Sequence, residues 1–219
     1  MRTRFLSLIV SFFLAAVVTH VAAQKAITDG TIVFSSTVQG QDMDFTQYFS
    51  PDSLATTYNA GPATIRILVD AHYASFVILV DAPAANIKKA AVMNPQEIQQ
   101  AIQGFPVFSY SRTADSKQIS GFNCTRIVAT DTAAKKTYDV WVTNDVSVPA
   151  HAIPRYYAEI GGVPIEYTAF QKQGDGRLNS LDITVKSIND QKAPDGTFSI
   201  APDYDRITLD DLKAMSNGQ

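Results

Sequence analysis

Residues 117–146 read KQISGFNCTRIVATDTAAKKTYDVWVTNDV, and this stretch is the most identifiable part of the chain. It contains two segments in which apolar and polar residues alternate, separated by a polar run at residues 131–136. The apolar positions are Phe122, Cys124 and Val128 in the first segment and Tyr138, Val140 and Val142 in the second, with Trp141 on the other side. A period of two is typical of β-strands, and a short polar connection favours a hairpin. The stretch therefore predicts an antiparallel β-hairpin.

Other parts of the chain show the same strand signals. Enrichment in β-branched residues or alternation of apolar and polar positions marks residues 31–38, 65–69, 75–80, 163–170 and 181–188. The polar side of these segments indicates that one face of the sheet is wetted, which is common for antiparallel sheets. We therefore expect a half-wetted antiparallel sheet.

One helix has a complete start signal. Asn94 suits the N-cap, Pro95 the first helical position and Glu97 the third, which together form a capping box. Ile98 and Ile102 follow on one side of this helix, so its apolar stripe must cover another part of the protein. We expect the helix to stop around Gly104.

Two shorter helices are predicted downstream. One begins at Thr208 with Asp210 and Asp211 in its first turn, and the other covers residues 154–160 before a Gly-Gly pair. Few helices and many strands predict an α+β fold, in which the helices cover one face of a curved sheet.

The N-terminus has the parts of an export signal. Arg2 and Arg4 precede an apolar run at residues 5–18, and small residues at 21–23 suit a cleavage site. A membrane anchor is the alternative, but the apolar run is shorter than the roughly 20 residues that cross a bilayer. We expect cleavage, no transmembrane span afterwards and a single domain over residues 24–219.

The composition disfavours partners that need a basic surface. The chain has 18 Lys and Arg against 21 Asp and Glu, and loss of Arg2 and Arg4 would make the formal net charge of −3 more negative by two. Such a chain lacks the excess of positive charge that nucleic-acid binding requires. A hydrophobic content of 46% is enough for one substantial core.

Cys124 is the single cysteine, so it cannot form an internal disulfide. It lies on the apolar side of its strand, where a thiol behaves as a small hydrophobic group. A reactive or intermolecular thiol is the alternative, and it would need an exposed, cationic setting.

Signals for catalysis, metals and cofactors are weak, so we expect a noncatalytic protein that holds none of these groups. His72 and His151 have no second ligand at metal-site spacing, and no nucleophile elbow or phosphate loop is present. The densest acidic patch, around Asp203 and Asp205, is interpreted as a solvated face. Two aromatic groups fit either a pocket rim or an ordinary core: Tyr156, Tyr157 and Tyr167, and Phe105, Phe108 and Tyr110.

The predicted hairpin also carries a resemblance to a known family. The pattern Lys117-x-Ile119-x-Gly121-Phe122-x-Cys124, followed by Trp141-Val142-Thr143-x-Asp145-Val146, resembles GLPGLI-type proteins and a related uncharacterised domain family of bacterial envelopes. These families are grouped with the LolA/LolB-like lipoprotein carriers. The chain has IGGVPI at residues 160–165 instead of the Gly-Leu-Pro-Gly-Leu-Ile signature, so the looser domain family is the better comparison.

The resemblance implies a periplasmic location and a strongly curved, unclosed barrel with helices in its concave side. It also implies a carrier that holds a lipid, an acyl chain or a lipoprotein between sheet and helices. The residues expected to approach that ligand are Phe122, Val140, Val142, Ile98 and Ile102. A second hypothesis is a structural protein of the cell envelope with a filled core, whose edge strand or surface loop binds another protein.

Overall fold

The computed structural model describes residues 24–38, 40–172 and 176–217. The predicted export signal at residues 1–23 lies outside the described residues. The first strands are β1 (Lys25–Ala26), β2 (Gly30–Val38), β3 (Gln41–Phe49), β4 (Ser53–Ala60), β5 (Ala63–Asp70), β6 (Phe76–Ala82) and β7 (Ile87–Val92). The later strands are β8 (Phe108–Ile119), β9 (Phe122–Asp131), β10 (Thr137–Thr143), β11 (Val146–Ser147), β12 (Val163–Lys172), β13 (Leu178–Asn189) and β14 (Asp205–Ile207). The α-helices are α1 (Pro95–Ile102) and α2 (Leu209–Asn217).

Twelve of these strands form one large sheet in the order β14-β7-β6-β5-β4-β3-β2-β13-β12-β10-β9-β8. Every pair in this sheet is antiparallel except β14 and β7. β1 and β11 form a separate parallel pair. The large sheet ends at β14 and at β8, and no pairing among the described residues joins these ends into a barrel. The fold is therefore α+β and is dominated by an open antiparallel sheet.

The sheet is built from two meanders, the first running from β2 to β7 and the second from β8 to β13. The two are joined along one seam, where β13 pairs with β2. The sheet is curved, because Phe76 of β6 and Phe170 of β12 line one groove although five strands separate these two strands. The curvature thus brings residues from both meanders together.

All the predicted strands are present. The predicted hairpin is formed by β9 and β10, in which Cys124 pairs with Thr143 and Thr130 with Thr137. The sequence patterns did not reveal β1, β3, β4, β7, β8, β11 and β14. Several of these have exposed polar positions on both faces, as in β8, so they lack the alternation that marks a half-buried strand.

The capping box of α1 is confirmed. The Asn94 side chain accepts a hydrogen bond from the Glu97 amide at 3.0 Å, and Glu97 Oε2 accepts one from the Asn94 amide at 2.6 Å. The helix ends at Ile102, slightly before the predicted stop at Gly104. The Thr208 start of α2 is also confirmed, since the Thr208 hydroxyl accepts a hydrogen bond from the Asp211 amide.

The third predicted helix, over residues 154–160, is wrong. The segment forms only a 3-10 turn at Arg155–Tyr157, with hydrogen bonds between residues three apart, such as Tyr157 to Pro154. A segment this short gains too few hydrogen bonds to offset the cost of helix nucleation. The two tyrosines of this turn differ in burial: Tyr157 is fully buried, and Tyr156 is half-buried.

The strand register defines two faces of the sheet. The face that carries Phe45, Tyr58, Ile67 and Ile78 is called the inner face. These residues share one face because directly paired residues lie on the same side of a sheet, and the pairs are Phe45–Tyr58, Tyr58–Ile65 and Ile67–Ile78. Gln47 lies on the same face, and its side-chain amide donates to the Ala152 carbonyl at 2.6 Å. The segment between β11 and β12 therefore packs against the inner face.

The opposite face of the first meander is covered by the chain before β14. Its buried residues are Ala55, Leu68, Val77, Leu79 and Ala90, with Phe198, Ile200 and Tyr204 packed against them. Surface ion pairs also join this segment to β7, with Lys88 Nζ 2.7 Å from Asp203 Oδ2 and Lys89 Nζ 2.8 Å from Asp205 Oδ2. The acidic patch is therefore paired with two lysines of β7.

Candidate functional site

An open groove of about 1300 Å³ lies between the sheet and the two helices. It exceeds the roughly 300–1000 Å³ of ordinary small-molecule pockets. Its apolar lining comes from Tyr73, Phe76, Met93, Ala101, Ile102, Phe105, Tyr156, Phe170 and Leu209. Its charged residues are Glu97, Arg155, Lys172 and Lys213. A long apolar molecule with a polar end matches this combination.

The groove borders an apolar surface on the inner face of the first meander. Phe76 lines the groove and also belongs to this face, since Phe76 and Ile78 alternate along β6. The side chains of this surface are only half-buried: Phe34, Phe45, Tyr58, Ile65, Ile67, Ile78 and Val80. Phe34 stacks on Phe45 with ring centroids 5.0 Å apart. The first meander thus presents apolar area that its own core does not fully cover.

The inner face of the second meander is filled. Tyr157 is 0% exposed and packs with Ile160 against Val140 and Val142. The Tyr157 ring stacks on Phe108 at 5.4 Å, and its hydroxyl donates to the Thr168 carbonyl at 2.9 Å. Burial raises the pKa of Tyr157 above its usual range, so the hydroxyl stays protonated. This part of the sheet is packed core.

Tyr156 lies at the boundary between the filled core and the groove. Its ring is 5.4 Å from that of Phe105, and its hydroxyl accepts the Phe170 amide at 2.9 Å. The Tyr110 hydroxyl donates to the Tyr156 carbonyl at 2.6 Å. Burial raises the pKa of Tyr156 and of Tyr110 to about 12. The two predicted aromatic groups thus form one cluster, which fills the core on one side and borders the groove on the other.

A strained turn lies at the rim of the groove. Tyr73 has a φ of 57°, a left-handed conformation that is rare for a bulky residue. The turn is held by Asp70, whose carboxylate accepts the amides of His72 and Ser75 and whose carbonyl accepts the Tyr73 amide at 3.0 Å. It places the Tyr73 ring 5.8 Å from the Arg155 guanidinium. Strained residues of this kind cluster at functional sites.

The five residues predicted to contact the ligand do not lie together in the structure. Ile102 lines the groove. Ile98, on the same helix, is 2% exposed, and Val140 and Val142 are covered by the Tyr157 core. Phe122 lies on the opposite face of the hairpin from Val142, because Val142 pairs with Thr125, three residues along the strand from Phe122. Only Ile102 of the five therefore lines the groove.

Most residues of the groove were missed by the sequence analysis. Tyr73, Met93, Arg155 and Leu209 come from separate segments and share no motif. The positive φ of Tyr73 has no sequence signal, since turns of this kind usually carry Gly or Asn. The proximity of these residues arises from the curvature of the sheet.

The His151 ring and several acids contact other parts of the protein, whereas the His72 side chain is exposed. His151 Nε2 lies 2.8 Å from the Ser50 carbonyl, and the His72 amide donates to Asp70. Asp139 pairs with Arg126 at 2.9 Å and Glu166 with Lys117 at 3.0 Å. In the described ranges, no three His, Cys, Asp or Glu residues come together as a metal site.

Cys124 is 2% exposed, as the sequence predicts. Burial, with smaller contributions from the charges of Asp145 and Glu166, raises the pKa of its thiol to about 11. The Lys117 charge acts in the opposite direction. A protonated buried thiol is a poor nucleophile.

Comparisons with known proteins give no family. No family model matches the chain, and no curated protein matches it. Among solved structures it is similar to PNGF-II, with a TM-score of 0.47 and 14% identity over 85% of this chain and 32% of that chain. It is also similar to an uncharacterized conserved protein from Thermus thermophilus, with a TM-score of 0.48 and 6% identity over 83% of this chain and 90% of that chain. The chain spans about a third of the PNGF-II chain.

Neither α-helix is long: α1 has eight residues and α2 nine. Over the part of the chain that the structure describes, no helix has both the length and the apolarity that crossing a membrane requires.

Proposed function

We propose that this protein is an exported, noncatalytic carrier of the LolA-like type, which holds an acyl chain between its sheet and its helices in the periplasm. The observation that supports this best is the groove of about 1300 Å³, whose apolar lining continues onto the half-buried inner face of the first meander. Burial of apolar surface is worth roughly 25 cal/mol per Å², so an acyl chain along this surface would be held without covalent chemistry.

The proposal also agrees with the distribution of packing. The second meander has a filled inner face, whereas the first has an apolar surface of about seven half-buried side chains. A contiguous apolar surface of this kind often marks a binding site. We therefore place the ligand on the first meander and along α1, near Ile102, rather than over Val140 and Val142.

The first test is native mass spectrometry of the protein, produced from the full chain in a bacterium and purified from its periplasm, with organic extraction of bound lipid. We expect a copurified acyl species, and binding of added fatty acid after its removal. Ile102→Ser, in the groove, should weaken fatty-acid binding by about tenfold. Val92→Ser, an exposed apolar residue on the opposite face of the sheet and outside the groove, is the matched control and should leave the affinity within about twofold. Equal effects of the two changes, or no uptake of fatty acid, would argue against the carrier.

A second candidate is a structural or interaction protein of the envelope. The observation that favours it is β8, a strand of 12 residues at the end of the sheet with one edge unpaired by any described residue. Such an edge can add a strand from a partner. Arg112→Pro removes an amide that faces this open edge, because the amides of alternate residues, such as Ser109, point towards β9. Capture of one stable protein partner that is lost on Arg112→Pro, together with a lipid-free extract, would favour this function over the carrier.

A further inference from the structure

The charges of the groove differ in sign from the charge of the whole protein. The chain has a formal net charge of −3, yet the charged residues that line the groove are Arg155, Lys172 and Lys213 with Glu97 as the single acid among the described residues. Glu97 already accepts a hydrogen bond from the Asn94 amide. Local positive charge beside an apolar lining favours a ligand with a negative end.

Two of the three cationic side chains, Lys172 and Lys213, make polar contacts within the protein. Lys172 Nζ donates to the Gln100 carbonyl at 2.8 Å and to the Gln103 carbonyl at 3.4 Å, so it caps the C-terminal end of α1. Lys213 Nζ lies 3.1 Å from Asp210 Oδ1. Lys172 is therefore engaged by the end of α1, and Lys213 has a carboxylate neighbour on its own helix.

Arg155 is in a different situation. Its guanidinium faces the ring of Tyr73 at 5.8 Å, and no carboxylate of the described residues pairs with it. The side chain is exposed and lines the groove beside Tyr156. An arginine presents its donors in a planar fork that matches the two oxygens of a carboxylate.

We propose that the groove binds a long-chain carboxylate, with its carboxylate group on Arg155 and its alkyl chain along Phe76, Met93 and Ile102. This inference rests on the proposed function and specifies its ligand. The strained turn at Tyr73 supports it, because the Asp70 hydrogen bonds fix the backbone at Tyr73, whose ring then faces the Arg155 guanidinium before the ligand arrives. A positioned cation loses less side-chain entropy on binding.

The test compares two ligands that differ only at one end. Delipidated full-chain protein is titrated with dodecanoate or with dodecanol, each in competition with the neutral fluorophore N-phenylnaphthylamine. We expect dodecanoate to bind at least about tenfold more tightly, as hydrogen bonds to charged groups are stronger than neutral ones. Arg155→Gln should remove this preference and leave dodecanol within about twofold, whereas Arg155→Lys should retain part of it. Arg206→Gln, which neutralises an exposed arginine outside the groove, should change neither affinity.

The outcomes separate this inference from the carrier function. The role of Arg155 would be overturned if the unmodified protein bound the two ligands equally, or if Arg155→Gln weakened both to the same extent. Either result would still be compatible with the carrier function. Failure of both ligands to displace the fluorophore would overturn the carrier itself.

Discussion

The ammonium group of Lys117 lies over the ring of Trp141, 4.2 Å from its centroid. The same group is 3.0 Å from Glu166 Oε2, so one lysine of β8 reaches across β9 to contact both β10 and β12. Trp141 is the single tryptophan, which makes this contact a spectroscopic reporter of the second meander.

Lys117→Met should remove both contacts and keep much of the side-chain length. We expect the free energy of unfolding to fall by about 1 kcal/mol at most, because all three side chains are partly exposed and such pairs contribute little in water. Urea unfolding followed by Trp141 fluorescence measures this change. Lys186→Met, which breaks the surface pair with Asp44 on another part of the sheet, is the control for charge loss and should leave the native Trp141 spectrum unchanged.

The Cys124 thiol should resist modification in the folded protein. At pH 8 we expect a thiol reagent such as Ellman's reagent to react only after unfolding in guanidinium, because the group is buried and protonated. Rapid reaction of the native protein at pH 8 would contradict the buried, unreactive thiol.

The stability of the protein should fall at high pH. The folded state raises the Cys124 pKa from 9.0 to about 11, so between these values the unfolded chain binds fewer protons than the folded one. Stability is therefore fully present below pH 9 and is lost as the pH rises towards 11. Tyr156 and Tyr110 act in the same direction towards pH 12. Chemical denaturation at several pH values should show this decline, and Cys124→Ala should flatten its early part.

Removal of the Tyr157 hydroxyl should have a measurable effect on stability. Tyr157→Phe leaves the Thr168 carbonyl without this donor and should cost about 1 kcal/mol, and Tyr157→Ala should cost about 3–5 kcal/mol by opening a cavity. Tyr204→Phe is the comparison, since its hydroxyl makes only a long contact of 3.4 Å with Asp81. Denaturant titration should show the largest loss for Tyr157→Ala, a smaller one for Tyr157→Phe and the smallest for Tyr204→Phe.

The capping box of α1 offers a test of the helix beside the groove. Asn94→Ala removes the side-chain acceptor for the Glu97 amide and should lower the free energy of unfolding by about 1 kcal/mol. Asn94→Asp retains an acceptor at the same position and should restore most of the loss. If Asn94→Ala and Asn94→Asp had the same melting temperature, the cap would not stabilise the helix.

Local patterns predicted the parts of the fold that depend on neighbours in sequence. The hairpin of β9 and β10 was found because Cys124, Val140 and Val142 alternate with polar residues over a short connection. The start of α1 was found because Asn94 and Glu97 satisfy each other within one turn. Such signals act over a few residues, so they survive in any tertiary context.

The rest depends on contacts between distant segments. No local pattern shows that Phe122 and Val142 take opposite faces of the hairpin, since alternation in each strand leaves the register between them open. The groove is the clearest case, as Phe76, Arg155 and Leu209 meet only after the sheet has curved. The sequence predicted apolar and aromatic side chains that could line a pocket. The curvature of the sheet determines which of these side chains line the groove.

The seam between β2 and β13 has a consequence for folding. Within each meander the strands that pair are close in sequence, whereas the seam joins Ile32 to Ile188 across most of the chain. Contacts of high sequence separation must close a longer loop and tend to form late. We expect the two meanders to gain structure first and the seam to close last. The groove takes residues from both meanders, so ligand binding appears only with this last kinetic step, and a chain caught before it has strands but no place for a ligand.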